Sequence, residues 1–241
     1  EATLTADGAV RLGLQQIQSL ARAVAERIAT ARPADGYRDL ADLAARARLA
    51  RHELDLLAAA NALCGLAGNR RQAAWEAAST WVQGDLLDRA TIIERTITFP
   101  APSEGAELVA DYASTGLSLD RHPLALLRAR LHEKRFLDSA TLRQAGDRQL
   151  ARAAGIVTGR QRPGTATGIV FVTLEDEFGM SNVIVHAHLV EKQRRELLGA
   201  SLLGVFGQVQ RDGAVVHLVA KRLVDLSRWL GALNPRSRDF H

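Results

Sequence analysis

Cysteine is nearly absent: Cys64 stands alone in 241 residues. No disulfide can form within the chain, and no thiolate cluster can hold a metal. Lysine is almost as scarce. Only Lys134, Lys192 and Lys221 occur, so 28 of the 31 basic residues are arginine (31 − 3 = 28). Aromatic residues make up 5% of the chain, which makes each outward-facing ring informative. Met180 is the one methionine, so the sequence lacks an initiator and reads as a piece of a longer protein. There is no secretory leader pattern, and no apolar run approaches the ~20 residues a bilayer span requires. A reducing, cytoplasmic setting is the expectation.

What is present is core-forming material with a mild positive balance. Hydrophobic residues account for 47% of the chain, enough for folded cores and against wholesale disorder. The net charge is +4 and the sequence pI about 9.8, which permits a polyanionic partner without requiring one. Arginine suits phosphate because its planar fork grips oxygens in pairs; an Arg- and Ala-rich chain is also what GC-rich coding produces. Residues 151–226 hold 9 basic against 7 acidic groups, and residues 227–241 hold 3 against 1. The excess is modest, lies toward the C-terminus and forms no basic block.

The pattern changes along the chain. Leu14, Ile17, Ala21, Val24 and Ile28 recur at helical spacing. "ARPADGY" (31–37) then breaks the stripe, and Asp39 or Asp42 can cap the next helices. Residues 1–80 are expected to be a compact all-α module, and 81–150 a linker and helical connector, with helical pieces near 104–115 and 122–145. Pro123 fits the first turn of the second piece. After Ala153 the period becomes two. "GIVTGRQR", "GIVFVTLEDE", "SNVIVHAH", "LLGVFGQVQ" and "AVVHLVAKRL" are strand candidates, with an amphipathic helix over 189–199 between the third and fourth. Three strands, a helix and two strands is the order of an OB-fold β-barrel, here 151–226. Residues 227–241 form a tail in which Trp229, Leu230 and Leu233 are amphipathic. The fold class is α+β and multidomain.

An OB barrel binds oligonucleotides across its second and third strands, between the loops joining strands one and two and strands four and five. The alternation of strand two sends Val170, Val172 and Leu174 inward and Phe171 and Thr173 outward. Phe171 is therefore the candidate base-stacking platform, with Arg160, Arg162 and Arg211 as rim cations and His186 and His188 on strand three. Packing of Phe171 against a neighbouring domain or the terminal helix is the competing explanation. Two histidines two residues apart lack a third ligand, so no metal site is expected. "EDE" (175–177) suits a hairpin turn better than a metal.

Longer stretches are familiar. "FVTLEDEFGMSNVIV" (171–185) and "LLGVFGQVQRDGAVVHLVAKRLVDL" (202–226) resemble the C-terminal OB domain of bacterial C-family DNA polymerases, nearer the error-prone branch than the replicative alpha subunit. "VRLGLQQIQSLARAVAERIATAR" (10–32) resembles that family's helix–hairpin–helix entry, and "LAAANALCGLAGNRRQAAW" (57–75) the segment after it. "DYASTGLSLDRHPLALLR" (111–128) is similar to its connector. The resemblance implies a parent enzyme that extends a primer with two metal ions, Mg2+, held by palm aspartates. That motif set is absent here, so this segment is expected to be catalytically silent and to need no cofactor of its own. The resemblance also implies translesion synthesis in a damage-induced assembly with an inactive Y-family polymerase relative and the sliding clamp.

Two departures from the family pattern bear on DNA. A helix–hairpin–helix grips the phosphate backbone through amides of a Gly-apolar-Gly hairpin, where glycine permits close approach. Here the first hairpin reads Ser19-Leu20-Ala21 and the second Arg48-Leu49-Ala50. Arg22, Arg48 and Arg51 are the candidate phosphate contacts, with Ser19 and Ala21 at the first hairpin. Many relatives also carry Trp-Pro after strand three, where this chain has His186-Ala187. The functional expectation is a holder of single-stranded or primer–template DNA. A purely protein-docking module, a replicative alpha-subunit region and an RNA-binding appendage are the alternatives.

Overall fold

The structure is a computed structural model that describes residues 2–6, 8–80, 97–164, 168–213, 215–231 and 238–240. Residues 81–96 of the expected connector lie outside the described residues. The chain divides into two compact units, Glu1–Leu117 and Ser118–His241.

The first unit opens with a two-stranded hairpin, β1 (Thr3–Leu4) and β2 (Val10–Arg11), and a 3-10 turn at Leu14–Gln16. Six helices follow among the described residues: α1 (Arg22–Thr30), α2 (Leu40–Ala47), α3 (Arg51–Ala59), α4 (Cys64–Ala67), α5 (Arg70–Thr80) and α6 (Glu104–Thr115). The apolar stripe from Leu14 to Ile28 is not one helix. Ser19 takes a left-handed φ of 65°, so the chain turns before α1 starts. Ile17, Val24 and Ile28 still reach one core with Leu40, Leu43, Leu54, Leu57 and Leu63. Asp39 caps α2, its carboxylate accepting the Asp42 N–H at 2.8 Å. Ser103 caps α6 through the Ala106 N–H.

One buried cation joins three of these helices. Arg70, with its side chain 9% exposed, donates from Nε to Glu107 at 2.7 Å. Its other nitrogens bond the Asp111 carboxylate and the Ala59 carbonyl. Breaking such a pair from one side costs ~3–5 kcal/mol, because a charge is left buried and alone.

The second unit begins with α7 (Pro123–Glu133) and α8 (Ser139–Gln144). The single helix expected over 122–145 is divided. Arg135 sits at φ 59°, and the Leu137 N–H bonds the Arg152 carbonyl at 2.7 Å, turning the chain onto the sheet. The barrel comprises β3 (Leu150–Gln161), β4 (Val170–Asp176), β5 (Gly179–Val185), β6 (Leu202–Asp212) and β7 (Val215–Asp225). Between β5 and β6 lie α9 (Ala187–Lys192) and α10 (Arg194–Gly199), where one continuous helix was expected. Gln193 divides them, and its side chain clamps both the N–H and the carbonyl of Leu223 on β7. A 3-10 turn, Ser227–Leu230, and β8 (Arg238–Phe240) complete the unit.

The strands run β4-β5-β7-β6-β3, and β3 closes the ring by pairing with β4 as well. This is the mixed, closed five-stranded OB barrel. Closure works because β3 is long and bent: Leu150–Ile156 pair with β6, and Ile156–Gln161 pair with β4. Gly155 permits the crossing, since a Cβ there would lie 2.7 Å from the Leu174 Cβ. Val157, Val172, Leu174, Val183, Val185, Leu203, Val205 and Leu218 fill the interior. Outside the barrel, α7 packs Leu124 and Leu131 with Phe136, Ile156, Leu202 and Leu226 in a second core. β8 pairs in parallel with β3 at Gly159–Gln161, a strand the amphipathic tail did not suggest.

The start of α7 is capped by a titratable side chain. His122 caps the helix, its Nδ1 accepting the Leu124 N–H at 3.1 Å, and protonation would remove that acceptor. Burial pushes its pKa below the ordinary 6.5, despite the opposing pull of Glu175. The unfolded chain therefore binds a proton first as pH falls, and stability declines from about pH 6.5 downward until the folded histidine also protonates. A His122→Asn variant keeps a cap that does not titrate. Denaturation midpoints of the wild-type chain are expected to fall relative to the variant between about pH 7 and pH 5.5. Parallel profiles would show that the cap does not carry this dependence.

Candidate nucleic-acid interface

The β4 burial pattern alternates as expected. Val170, Val172 and Leu174 are buried, while Phe171, Thr173 and Glu175 are half-exposed on the outer face. Pairing carries the row sideways: Phe171 stands opposite Ile184 on β5, and Ile184 opposite Val219 on β7. Thr173, Asn182 and His217 form the next row. An aromatic and two aliphatic side chains thus cross three strands beside a polar row. The Nδ1 of His217 is buried without a hydrogen-bond partner among the described residues.

The two histidines are placed differently from the expectation. β5 ends at Val185, so neither His186 nor His188 is on the strand; His186 precedes α9 and His188 is in its first turn. They are exposed and stacked on each other, rings 6.3 Å apart and 13° from parallel. Gly168, at φ 72°, approaches Ala187 so closely that a Cβ would lie 2.7 Å from the Ala187 Cβ. The histidine pair therefore sits at the end of the face where Phe171 and Ile184 pair.

The rim arginines divide. Arg162 is exposed beside the loop after β3, of which 165–167 lie outside the described residues. Arg160 is buried at 7%, and its guanidinium donates to the carbonyls of Leu197 and Ala200 at 2.7 and 2.6 Å. It closes the end of α10 and faces away from solvent. Arg211 bonds the Ala145 carbonyl at 2.9 Å and the Arg143 carbonyl as well, pinning the end of α8. Composition could not separate these roles, because all three arginines flank strand ends.

In the first unit both hairpins keep their turn without glycine. Ser19 (φ 65°) and Arg48 (φ 50°) hold the left-handed position, and Leu20 and Leu49 are buried behind them. Ala21 and Ala50 are the residues from which α1 and α3 start. Arg27 clips the second hairpin, donating from Nε to the Ala47 carbonyl at 3.1 Å and from Nη2 to Glu53 at 2.9 Å. The same carboxylate accepts the Ala50 N–H at 2.7 Å, so the amide facing a phosphate cradle is already engaged. Arg22 pairs with Glu26 at 2.8 Å, and Arg51 bonds the Ala78 carbonyl at 3.2 Å. Arg48 remains exposed.

Among the described residues no group of three or more His, Cys, Asp or Glu side chains is placed to hold a metal ion. Glu177 binds Arg128 and Asp176 binds Ser139, so the hairpin-turn acids have protein partners. No helix among the described residues is long and apolar enough to cross a membrane.

These features define a class: proteins that join a helix–hairpin–helix module to an OB barrel. The family described as "Helix-hairpin-helix motif" matches residues 1–73. The error-prone DNA polymerase of Azoarcus sp. (strain BH72) is 64% identical over 97% of this chain and 22% of its own length. That of Dechloromonas aromatica (strain RCB) is 63% identical over 97% of this chain and 23% of its own length. By this similarity the chain corresponds to a C-terminal region of error-prone, C-family DNA polymerases, and it spans about 22% of the length of such relatives. Among solved structures, an asparaginyl-tRNA synthetase from Pyrococcus horikoshii shares 18% identity over 38% of this chain and 23% of its own, with a TM-score of 0.33. That likeness is too weak to argue from.

The strained turn is testable. A non-glycine residue in the left-handed region costs ~1–2 kcal/mol, and glycine returns part of the gain as backbone entropy. Ser19→Gly is expected to stabilise the first unit by about 0.5–1 kcal/mol in urea denaturation. A loss of stability would mean that the Ser19 side chain, and not the turn conformation, sets the hairpin.

Proposed function

We propose that this chain holds single-stranded template DNA for an error-prone, translesion polymerase acting in DNA repair after damage. The outward face of β4, β5 and β7 is the binding surface, with Phe171 as its base platform. The single observation that carries this reading is the Phe171–Ile184–Val219 row, an apolar strip left half-exposed across three strands of a barrel whose interior is already full. Thr173 and Asn182 offer polar groups beside it, the stacked His186–His188 pair extends the aromatic surface, and Arg162 supplies a cation at the rim. Arg160 and Arg211 are left out of the contact set because backbone carbonyls occupy their guanidinium groups.

The helix–hairpin–helix unit is the weaker DNA contact in this proposal. It lacks both hairpin glycines, and Glu53 occupies the Ala50 amide. Arg48 is its remaining outward cation at the second hairpin. The parent protein would be a cytoplasmic nucleotidyltransferase using Mg2+ in its palm, with an inactive Y-family relative and the sliding clamp as partners. A docking-only role is the second reading, favoured by these degraded hairpins.

Fluorescence anisotropy of a labelled oligothymidine, titrated with the wild-type chain and with Phe171→Ala, discriminates the two. One lost stack is worth ~1–3 kcal/mol, so the variant is expected to bind about tenfold more weakly. Absence of oligonucleotide binding at low salt would remove the template role and leave the docking role.

A further inference from the structure

Further along the barrel, on β3, β6 and β7, lies a second ordered surface that the template face does not include. Arg152, Phe206 and Arg222 stand in register on β3, β6 and β7. The guanidinium carbons lie 4.7 and 5.4 Å from the centre of the Phe206 ring, one cation from each neighbouring strand. Phe206 is itself fixed edge-on against Phe136, with ring centres 5.6 Å apart at 75°. Arg152 is held further by a 3.2 Å bond to the Lys134 carbonyl. Beside this ladder lies an open groove of about 460 Å3, lined by Arg135, Arg152, Lys221, Phe206, Leu137 and Gln149 among others. Among the described residues none of its lining groups is acidic.

Two backbone irregularities aim cations at this place. The β6–β7 register shifts at Phe206/Gly207: Phe206 faces Arg222 and Gly207 faces Ala220, which leaves Lys221 as the extra residue of a bulge. Regular alternation would send one of two consecutive residues inward. The bulge leaves both Lys221 and Arg222 exposed. Arg135 reaches the groove from the other side because its left-handed φ of 59° ends α7 at that point. Exposed cations stationed by a bulge and a strained residue are not a random solvated face, because both devices cost free energy.

We propose that this groove binds the phosphodiester backbone of the nucleic-acid strand whose bases rest on the Phe171 face, and the inference rests on that reading of the barrel. β7 connects the two surfaces: Val219 belongs to the base row and Lys221 lies two residues along, about 7 Å at strand rise. Stacking occupies the faces of the guanidinium groups and leaves in-plane N–H donors for phosphate oxygens, those of Arg152 beyond the Nη1 that bonds the Lys134 carbonyl, while costing little rotamer freedom. Arg135, Arg152 and Lys221 act as the phosphate contacts, and Phe206 orients Arg152 and Arg222.

Salt dependence reads phosphate contacts directly, since each contributes about −0.7 to the slope of log K against log salt for a single strand. The probe is the labelled oligothymidine, titrated over a salt series with the wild-type chain, Arg135→Ala/Lys221→Ala and Phe171→Ala. The double variant is expected to flatten the slope by about 1.4, whereas Phe171→Ala weakens binding and leaves the slope unchanged. The charge-preserving Arg135→Lys/Lys221→Arg pair should retain the wild-type slope, which separates lost contacts from a disturbed fold. An unchanged slope in the Ala double variant would overturn the groove. A flattened slope there, with no effect of Phe171→Ala, would uphold the groove and overturn the Phe171 platform. No binding by the wild-type chain would overturn both.

Discussion

Four donors converge on the Asp176 carboxylate at the tip of the β4–β5 hairpin. The Ser139 N–H and Oγ approach at 2.6 and 2.7 Å, the Phe178 N–H at 2.9 Å, and Arg128 at 3.4 Å. Hydrogen bonds to a charged group contribute ~1.5–3 kcal/mol each, and the carboxylate is buried, so losing any donor leaves a costly vacancy. The consequence is geometric. Arg128 comes from α7 and Ser139 from α8, so both helices are fastened to the tip of the hairpin that carries Phe171. Arg128 also binds Glu177, whose carboxyl is opposed by burial but held below its usual range by that guanidinium. The outer face of β4 and β5 is therefore displayed from a hairpin held at its turn by charge and along its length by the barrel core.

Alternation made this face legible in the sequence. "VFVTLED" states its two sides without any knowledge of partners, and Ile184 could have been found by the same rule applied to "NVIV". Val219 and His217 could not. They join the face through the parallel pairing of β5 with β7, which no local pattern encodes, because the intervening residues hold two helices and another strand. The same limit explains Arg160. It belongs to a strand end that looks like a loop rim, yet it faces the carbonyls at the end of α10, 37 and 40 residues away in sequence. His186 and His188 were misplaced because "VIVHAH" continues an alternating pattern past Val185, and alternation carries no signal for where a strand yields to a helix.

The helical unit shows a motif surviving the loss of its diagnostic residues. The left-handed turn that glycine usually supplies is held by Ser19 and Arg48, and the apolar centre of each hairpin, Leu20 or Leu49, is anchored in the core. What holds the second turn is the long reach of Arg27 to Ala47 and Glu53. That substitution has a chemical side effect. An amide that a phosphate would need is occupied by a carboxylate from the same chain, and a negative charge stands at the helix N-terminus where an anion would otherwise be favoured. The hairpin thus keeps its architecture with the Ala50 amide engaged inside the chain by Glu53.

The barrel presents the complementary case, in which function would be added where a regular pattern is broken. A closed five-stranded ring has one inner face, and interior packing consumes alternate positions on every strand. Remaining positions are either covered, as α7 covers Ile156 and Leu202, or left to solvent. The β7 bulge escapes this two-way choice, since one extra residue lets Lys221 and Arg222 both point outward beside Phe206. Composition alone shows little: residues 151–226 exceed neutrality by only 2 charges (9 − 7 = 2). Spatial order adds to this, because three of the seven acidic groups of the same stretch, Glu175, Asp176 and Glu177, lie at the β4–β5 turn, where Arg128 pairs with Asp176 and Glu177. Nearly balanced charge in sequence becomes separated charge on the folded surface, and a polyanion responds to the local field.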